Sequence, residues 1–204
     1  MSTKSPICIN IIFEDLLSEA VIKRLIAQSG HPFVIGSCYH GRGNGFIKRN
    51  IRGFNKAARG MPFFVLTDCD NYSCVIDLIN DYLPDKVHPN MLFRVAINEV
   101  ESWLLADRDG LAHYLAADVN LIPINVDNIK DPKRCLINLA KKSRKKDLRT
   151  GIVPQIGSTA TQGPYYNDCL IPFVKNFWDL NNACHHSESL SRAFNSIVKF
   201  RPKI

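Results

Sequence analysis

The sequence predicts an α/β fold whose parallel sheet is flanked by helices, and three features predict it. Short apolar runs rich in branched residues alternate with amphipathic stretches through the first half of the chain. The runs are nearly continuous, as in strands buried on both faces. Each is followed by a stretch at helical spacing, and that repetition implies parallel strands joined by right-handed crossovers.

Ile7 to Phe13 reads as the first strand, and Leu17, Ala20, Val21 and Leu25 then mark a helix from about Leu16 to Gln28, stopped by Gly30 and Pro32. Phe33 to Tyr39 reads as the second strand. The glycine-rich Gly41 to Gly45 leads from it into a basic helix from about Phe46 to Ala58. Pro62 to Thr67 is a third strand, with a helix near Cys74 to Leu83. Met91 to Ile97 is a fourth, with a helix starting near Asn98. The second half is less regular: helices are expected at about Pro132 to Lys146, after the turn Gly163 to Asn167, and from Ser189 to Phe200.

With 204 residues the chain can bury a real core. An α/β core over 1–116 and a mainly helical, basic extension over 117–204, packed as one compact domain, is the expected division. An apolar fraction of 46% and a charged fraction of 22% exclude disorder as the default. The net charge of +7 suits an anionic partner, nucleic acid or a phosphorylated substrate. Met1 to Pro6 is polar and Ile7 to Phe13 is too short for an export or membrane segment, so a cytoplasmic protein without membrane association is expected. The seven cysteines are scattered without metal-ligand pairing, which suits reduced thiols.

The chemistry-bearing residues lie where strands end. Open parallel sheets bind ligands beyond the carboxyl ends of their strands. The first predicted strand ends at Glu14 and Asp15, the third at Asp68-Cys69-Asp70, and the fourth runs toward Glu99 and Glu101. Acids gathered at one edge repel unless a cation neutralises them, and oxygen-only donors suit Mg²⁺ or Mn²⁺. Asp68 and Asp70, two residues apart in extended chain, can face one site. Bland readings compete: Asp-x-Asp-Asn can cap the next helix, Asp15 can cap the first, and Asn98 with Glu101 fits a capping box. Glu99 either stands behind the metal ligands or simply sits in a first helical turn, where an acid is favoured anyway. Glu19 is either a residue behind the metal ligands or simply solvated.

Phe13-Glu14-Asp15-Leu16-Leu17-Ser18-Glu19 resembles the "hydrophobic-Glu-Gly-x-x-Ser/Thr-Glu/Asp" opening of TOPRIM domains, the topoisomerase–primase fold also used by OLD-type nucleases. Leu66-Thr67-Asp68-Cys69-Asp70-Asn71 is similar to that family's Asp-x-Asp strand end. Glu101-Ser102-Trp103, Gly163-Pro164-x-Tyr166-Asn167 and Ser187-x-Ser189-Leu190-x-Arg192 resemble elements of small RloB-like TOPRIM proteins, which are found beside ABC-type ATPases in phage-defence loci. The TOPRIM resemblance covers roughly residues 7 to 107. It implies Glu14 as an acid/base or metal-linked glutamate, Asp68 and Asp70 as Mg²⁺ ligands, and Glu101 as a further catalytic acid. It also implies an ATPase partner. Asp15 departs from the pattern, standing where the family has glycine.

Two basic segments accompany the acids. Arg49, Arg52, Lys56 and Arg59 recur at three- and four-residue steps, beside Lys48 and with Arg42 in the preceding glycine loop. Lys141, Lys142, Arg144, Lys145, Lys146 and Arg149 form the second run. Either can track a phosphate backbone, or be a solvated face. The glycine loop matches neither a dinucleotide fingerprint nor a P-loop. His185-His186 has no partner spaced for zinc, and Tyr165, Tyr166 and Trp178 suit packing better than base stacking.

The expectation that unites these features is a metal-dependent nuclease, the effector of an antiviral system, able to form oligomers. Two other classes fit parts of the pattern. A sugar- or nucleotidyl-transferase also places Asp-x-Asp after a strand, and a non-catalytic nucleic-acid-binding subunit would keep the basic segments and use the acids structurally.

Overall fold

The computed structural model describes residues 5–41, 45–69, 72, 74–83 and 86–203. The protein is α/β, with an all-parallel sheet of four strands flanked by helices. The strands are β1 (Ile7–Phe13), β2 (Phe33–His40), β3 (Phe63–Asp68) and β4 (Met91–Ala96), in the order β2-β1-β3-β4. Helices α1 (Leu16–Gln28), α2 (Phe46–Ala57) and α3 (Val75–Tyr82) connect them. The order places β1 and β3 side by side at the centre, at the point where the winding direction reverses.

Strand alternation divides the core. Ile12, Phe63, Val65, Phe93 and Val95 face Ile47 and Ile51 of α2 and Leu78 of α3 in one cluster. Their neighbours Ile11, Phe64 and Leu66 point to the opposite face and are also fully buried, as are Leu17, Val21 and Leu25 of α1. β1 and β3 are therefore covered on both sides, which explains their unbroken apolar sequence. β2 at one edge is largely exposed and has the mixed composition to match.

Contacts divide the chain into two compact units, Met1–Ala96 with Arg192–Ile204, and Ile97–Ser191. The chain end thus belongs with the unit that carries the sheet. Asn90 shows why: its amide donates to the Lys203 carbonyl at 2.7 Å and accepts from the Lys203 amide at 2.7 Å. Arg94 of β4 donates through Nε to Ser196 Oγ at 2.6 Å.

The second unit is helical. It contains α4 (Glu101–Ala106), α5 (Arg108–Leu115), α6 (Pro132–Lys141), α7 (Lys146–Ile152), α8 (Tyr166–Asn176) and α9 (Leu180–His186). The start of α10 (Glu188–Val198) also belongs to it. The helix expected over 132–146 ends at Lys141, and a second helix, α7, begins at Lys146. Ser143 between them is buried and its hydroxyl donates to the Leu115 carbonyl, so the chain leaves helical geometry there. No helix of the described residues is long and apolar enough to cross a membrane.

Candidate functional site

Glu14 follows β1 and Asp68 ends β3, so both sit at the carboxyl ends of the two central strands. The register pairs Ile12 with Val65, and its continuation brings Glu14 level with Thr67. Thr67 Oγ1 donates to Glu14 Oε1, joining the two strand ends through a side-chain bond. Asp68 is the next residue along β3 and is half-buried.

Tyr82, the last residue of α3, adds a group that the sequence did not single out. Burial raises its phenol pKa, and the nearby Glu14 carboxylate raises it further. Only a helix returning to the same sheet edge brings residue 82 beside residue 14, and no local pattern announces that. The donors of Glu14, Thr67 and Asp68 are all oxygen, the set that Mg²⁺ and Mn²⁺ accept. Asp70 and Arg42 lie outside the described residues, and among the described residues no group of three or more His, Cys, Asp or Glu could hold a metal.

Asp15 is the N-cap of α1, with its carboxylate accepting from the Ser18 amide at 2.8 Å. Its backbone is extended, with φ −142°, a conformation any residue adopts, so aspartate in place of glycine introduces no strain beside Glu14. Glu19 pairs with Lys23 one turn on, at 2.6 Å.

Of the α2 cations, Arg49, Arg52 and Lys56 are exposed, as is Arg59 just beyond the helix. Lys48 is tied down: its Nζ lies 2.5 Å from Asp81 and 3.4 Å from the Tyr72 hydroxyl, which itself donates to Asp81. These bonds raise the Lys48 pKa and lower that of Asp81.

In the second unit Glu101 has a different environment. It is 1% exposed, and burial pushes its carboxyl up to about 7 against the pull of Lys133, with Glu99 adding to the rise. Lys133 Nζ lies 3.5 Å from Glu101 and 3.9 Å from Glu99, and Tyr166 donates its hydroxyl to Glu101 at 2.9 Å. The capping-box reading is overturned. Asn98 takes a left-handed backbone (φ 62°) and donates its amide to the Ile129 carbonyl at 2.6 Å, while Val100 stands at the N-cap of α4. Glu99 also precedes the helix rather than filling its first turn, and its Oε2 accepts the Lys133 amide at 2.8 Å.

Three distant segments converge here. Glu101 meets Tyr166, and two residues on Trp103 donates its indole N–H to Ser189 Oγ at 2.7 Å. Ser187 and Ser189 both bond Asp127. Tyr166 and Trp178 are buried, as expected of packing residues, whereas Tyr165 is exposed.

The second basic run is not one stripe. Lys142, Arg144, Lys145 and Lys146 straddle the break between α6 and α7. Arg144 donates to the Ala116 carbonyl, and Lys145 to that of Tyr114 at 2.7 Å, over whose ring it also lies. Those two cations stabilise the turn. Lys141 reaches Asn138 at 3.2 Å, and Lys142 and Lys146 are exposed. No family model, curated protein or solved structure matches the chain.

Proposed function

We propose that the chain is a Mg²⁺- or Mn²⁺-dependent nuclease that cleaves phosphodiester bonds of DNA or RNA. One observation carries the reading: Glu14 and Asp68 stand at the ends of the two adjacent central strands, where the winding of the sheet reverses. Open α/β sheets place their ligands there. The resemblance of the Glu14 and Asp68-Cys69-Asp70 segments to TOPRIM domains supports the same site, with Glu14, Asp68 and Asp70 as the residues that would hold the ion.

A divalent ion bound by these carboxylates supplies Lewis-acid polarisation of the scissile phosphate and neutralisation of its developing charge. The protein's own groups do the rest. Glu14, bonded by the Thr67 hydroxyl, would either help hold the ion or take a proton from an attacking water. Arg49, Arg52 and Lys56 offer exposed charge to the backbone of a nucleic acid. Glu101, bonded by Tyr166, belongs to a separate proton-holding cluster. By the same resemblance, the activity serves antiviral defence under an ABC-type ATPase partner, and co-purification with such an ATPase tests that role.

Asp68→Asn and Asp70→Asn test the site. Each is expected to lower Mg²⁺-dependent cleavage of labelled DNA or RNA by at least about a hundredfold, since even residues behind metal ligands cost tenfold or more. The melting temperature should stay near the wild-type value. Cleavage by both variants at the wild-type rate would refute the assignment.

A further inference from the structure

A cleft of about 620 Å³ opens in the second unit. Lys133, Arg134, Ile137 and Lys141 of α6 form one side, and Pro154 and Thr161 belong to the other. Residues 133, 137 and 141 recur every fourth position, so one helix face presents them together. The opposite wall is anchored at its base. The Gly163 amide donates to the Ile152 carbonyl at 2.9 Å and the Tyr165 amide to that of Gly151 at 3.0 Å. A Cβ at Gly163 would lie 2.2 Å from the Gly151 oxygen, so only glycine permits this closure.

The acids that border the cleft are already engaged. Asp131 accepts the Arg134 amide at 2.8 Å, and Glu99 accepts the Lys133 amide and faces its ammonium. Lys133 is held in place by Glu99, Glu101 and the Tyr166 ring. Arg134 and Lys141 form no ion pair among the described residues. The first turn of α6 is thus satisfied by carboxylates, while cationic charge stands farther along the helix. The volume falls in the range of small-ligand sites.

We propose that this cleft binds the phosphate of a nucleotide unit. Arg134 and Lys141 hold the phosphate oxygens, Lys133 contributes a fixed positive charge and Thr161 a hydroxyl donor. Ile137 and Pro154 give an apolar surface for sugar or base. The site is independent of the carboxylates at the strand ends. The nucleotide is either free or the terminal residue of a strand, since both present the same group.

Calorimetric titration of the full chain in EDTA tests this, with inorganic phosphate, AMP, and a tetranucleotide with and without a 5′-phosphate as probes. AMP or the 5′-phosphorylated strand is expected to bind, and whichever binds tighter identifies the source. Arg134→Glu with Lys141→Glu should weaken binding more than about tenfold, because a charge-assisted hydrogen bond is worth roughly that factor. Arg134→Gln alone is a milder variant with the same expected direction. Asp68→Asn should leave this binding unchanged, which separates the cleft from the nuclease site. No binding by any probe at about 10 mM, equal affinity for inorganic phosphate and AMP, or wild-type affinity in the double variant would each overturn the proposal.

Discussion

Glu14 and Glu101 are both glutamates placed after a strand of the same sheet, yet they have opposite physical fates. Glu14 is half-buried at a strand end, beside hydroxyls of Thr67 and Tyr82. Glu101 is buried inside the helical unit against the Tyr166 phenol, with the partly exposed Lys133 ammonium beside it, and its carboxyl is raised to about 7. An acid at a sheet edge is available to a cation from solution. An acid in a closed interior must bring its own counter-charge or hold a proton. Position after a strand therefore nominates a carboxylate, and burial determines what chemistry it can perform.

One expected effect separates the two by removing the counter-charge. Lys133→Met deletes the ammonium shared by Glu99 and Glu101 and leaves a buried carboxylate without its cation. Because Glu101 can take up a proton instead, the loss at pH 8 is held to about 1.4 kcal/mol, one pKa unit above a carboxyl that titrates at about 7. The loss should be greatest at pH 8, where Glu101 is ionised, and shrink toward pH 5, where it carries a proton. Urea unfolding at the two pH values measures it, and an equal loss at both would show that Lys133 contributes packing alone.

A second effect comes from Glu101 itself. Its folded-state pKa stands near 7 against an ordinary 4.5, so the folded state holds the proton more tightly than the unfolded chain. The stability this confers is fully present below pH 4.5 and is lost as pH rises through 7. Over that window the change amounts to about 3 kcal/mol. Glu101→Gln, which cannot titrate, should flatten this part of the profile and gain on the wild type between pH 5 and pH 8. Parallel stability curves for the two proteins would contradict the buried, proton-holding assignment.

What the sequence reveals follows the range over which each signal acts. The bounds of β1 and α1 are readable because each element carries its own periodicity, and α1 carries its own cap at Asp15. The placement of Glu14 and Asp68 at strand ends is readable for the same reason. Their adjacency is not, because it requires the strand order. The competing capping-box reading of Glu101 fails because its partners are Lys133 and Tyr166, brought in by other helices. The basic run after Asn138 looks like one stripe in sequence. In space Ser143 breaks it, and Arg144 and Lys145 turn to backbone carbonyls of α5 and the turn that follows.

The smallest effect concerns the residue beside Glu14. Asp15 stands where TOPRIM-like openings carry glycine, and the structure gives it a purely local task, the cap on Ser18. Replacing an N-cap aspartate by alanine costs about 1 kcal/mol, and by glycine only a few tenths, because glycine leaves the amides open to water. Asp15→Gly should therefore melt almost with the wild type, and Asp15→Ala measurably below it. If Asp15 instead helped Glu14 in catalysis, both variants would lose cleavage alike whatever their stability. The ordering of melting temperatures, with the proposed Mg²⁺-dependent cleavage unchanged, separates a helix cap from a site residue at this position.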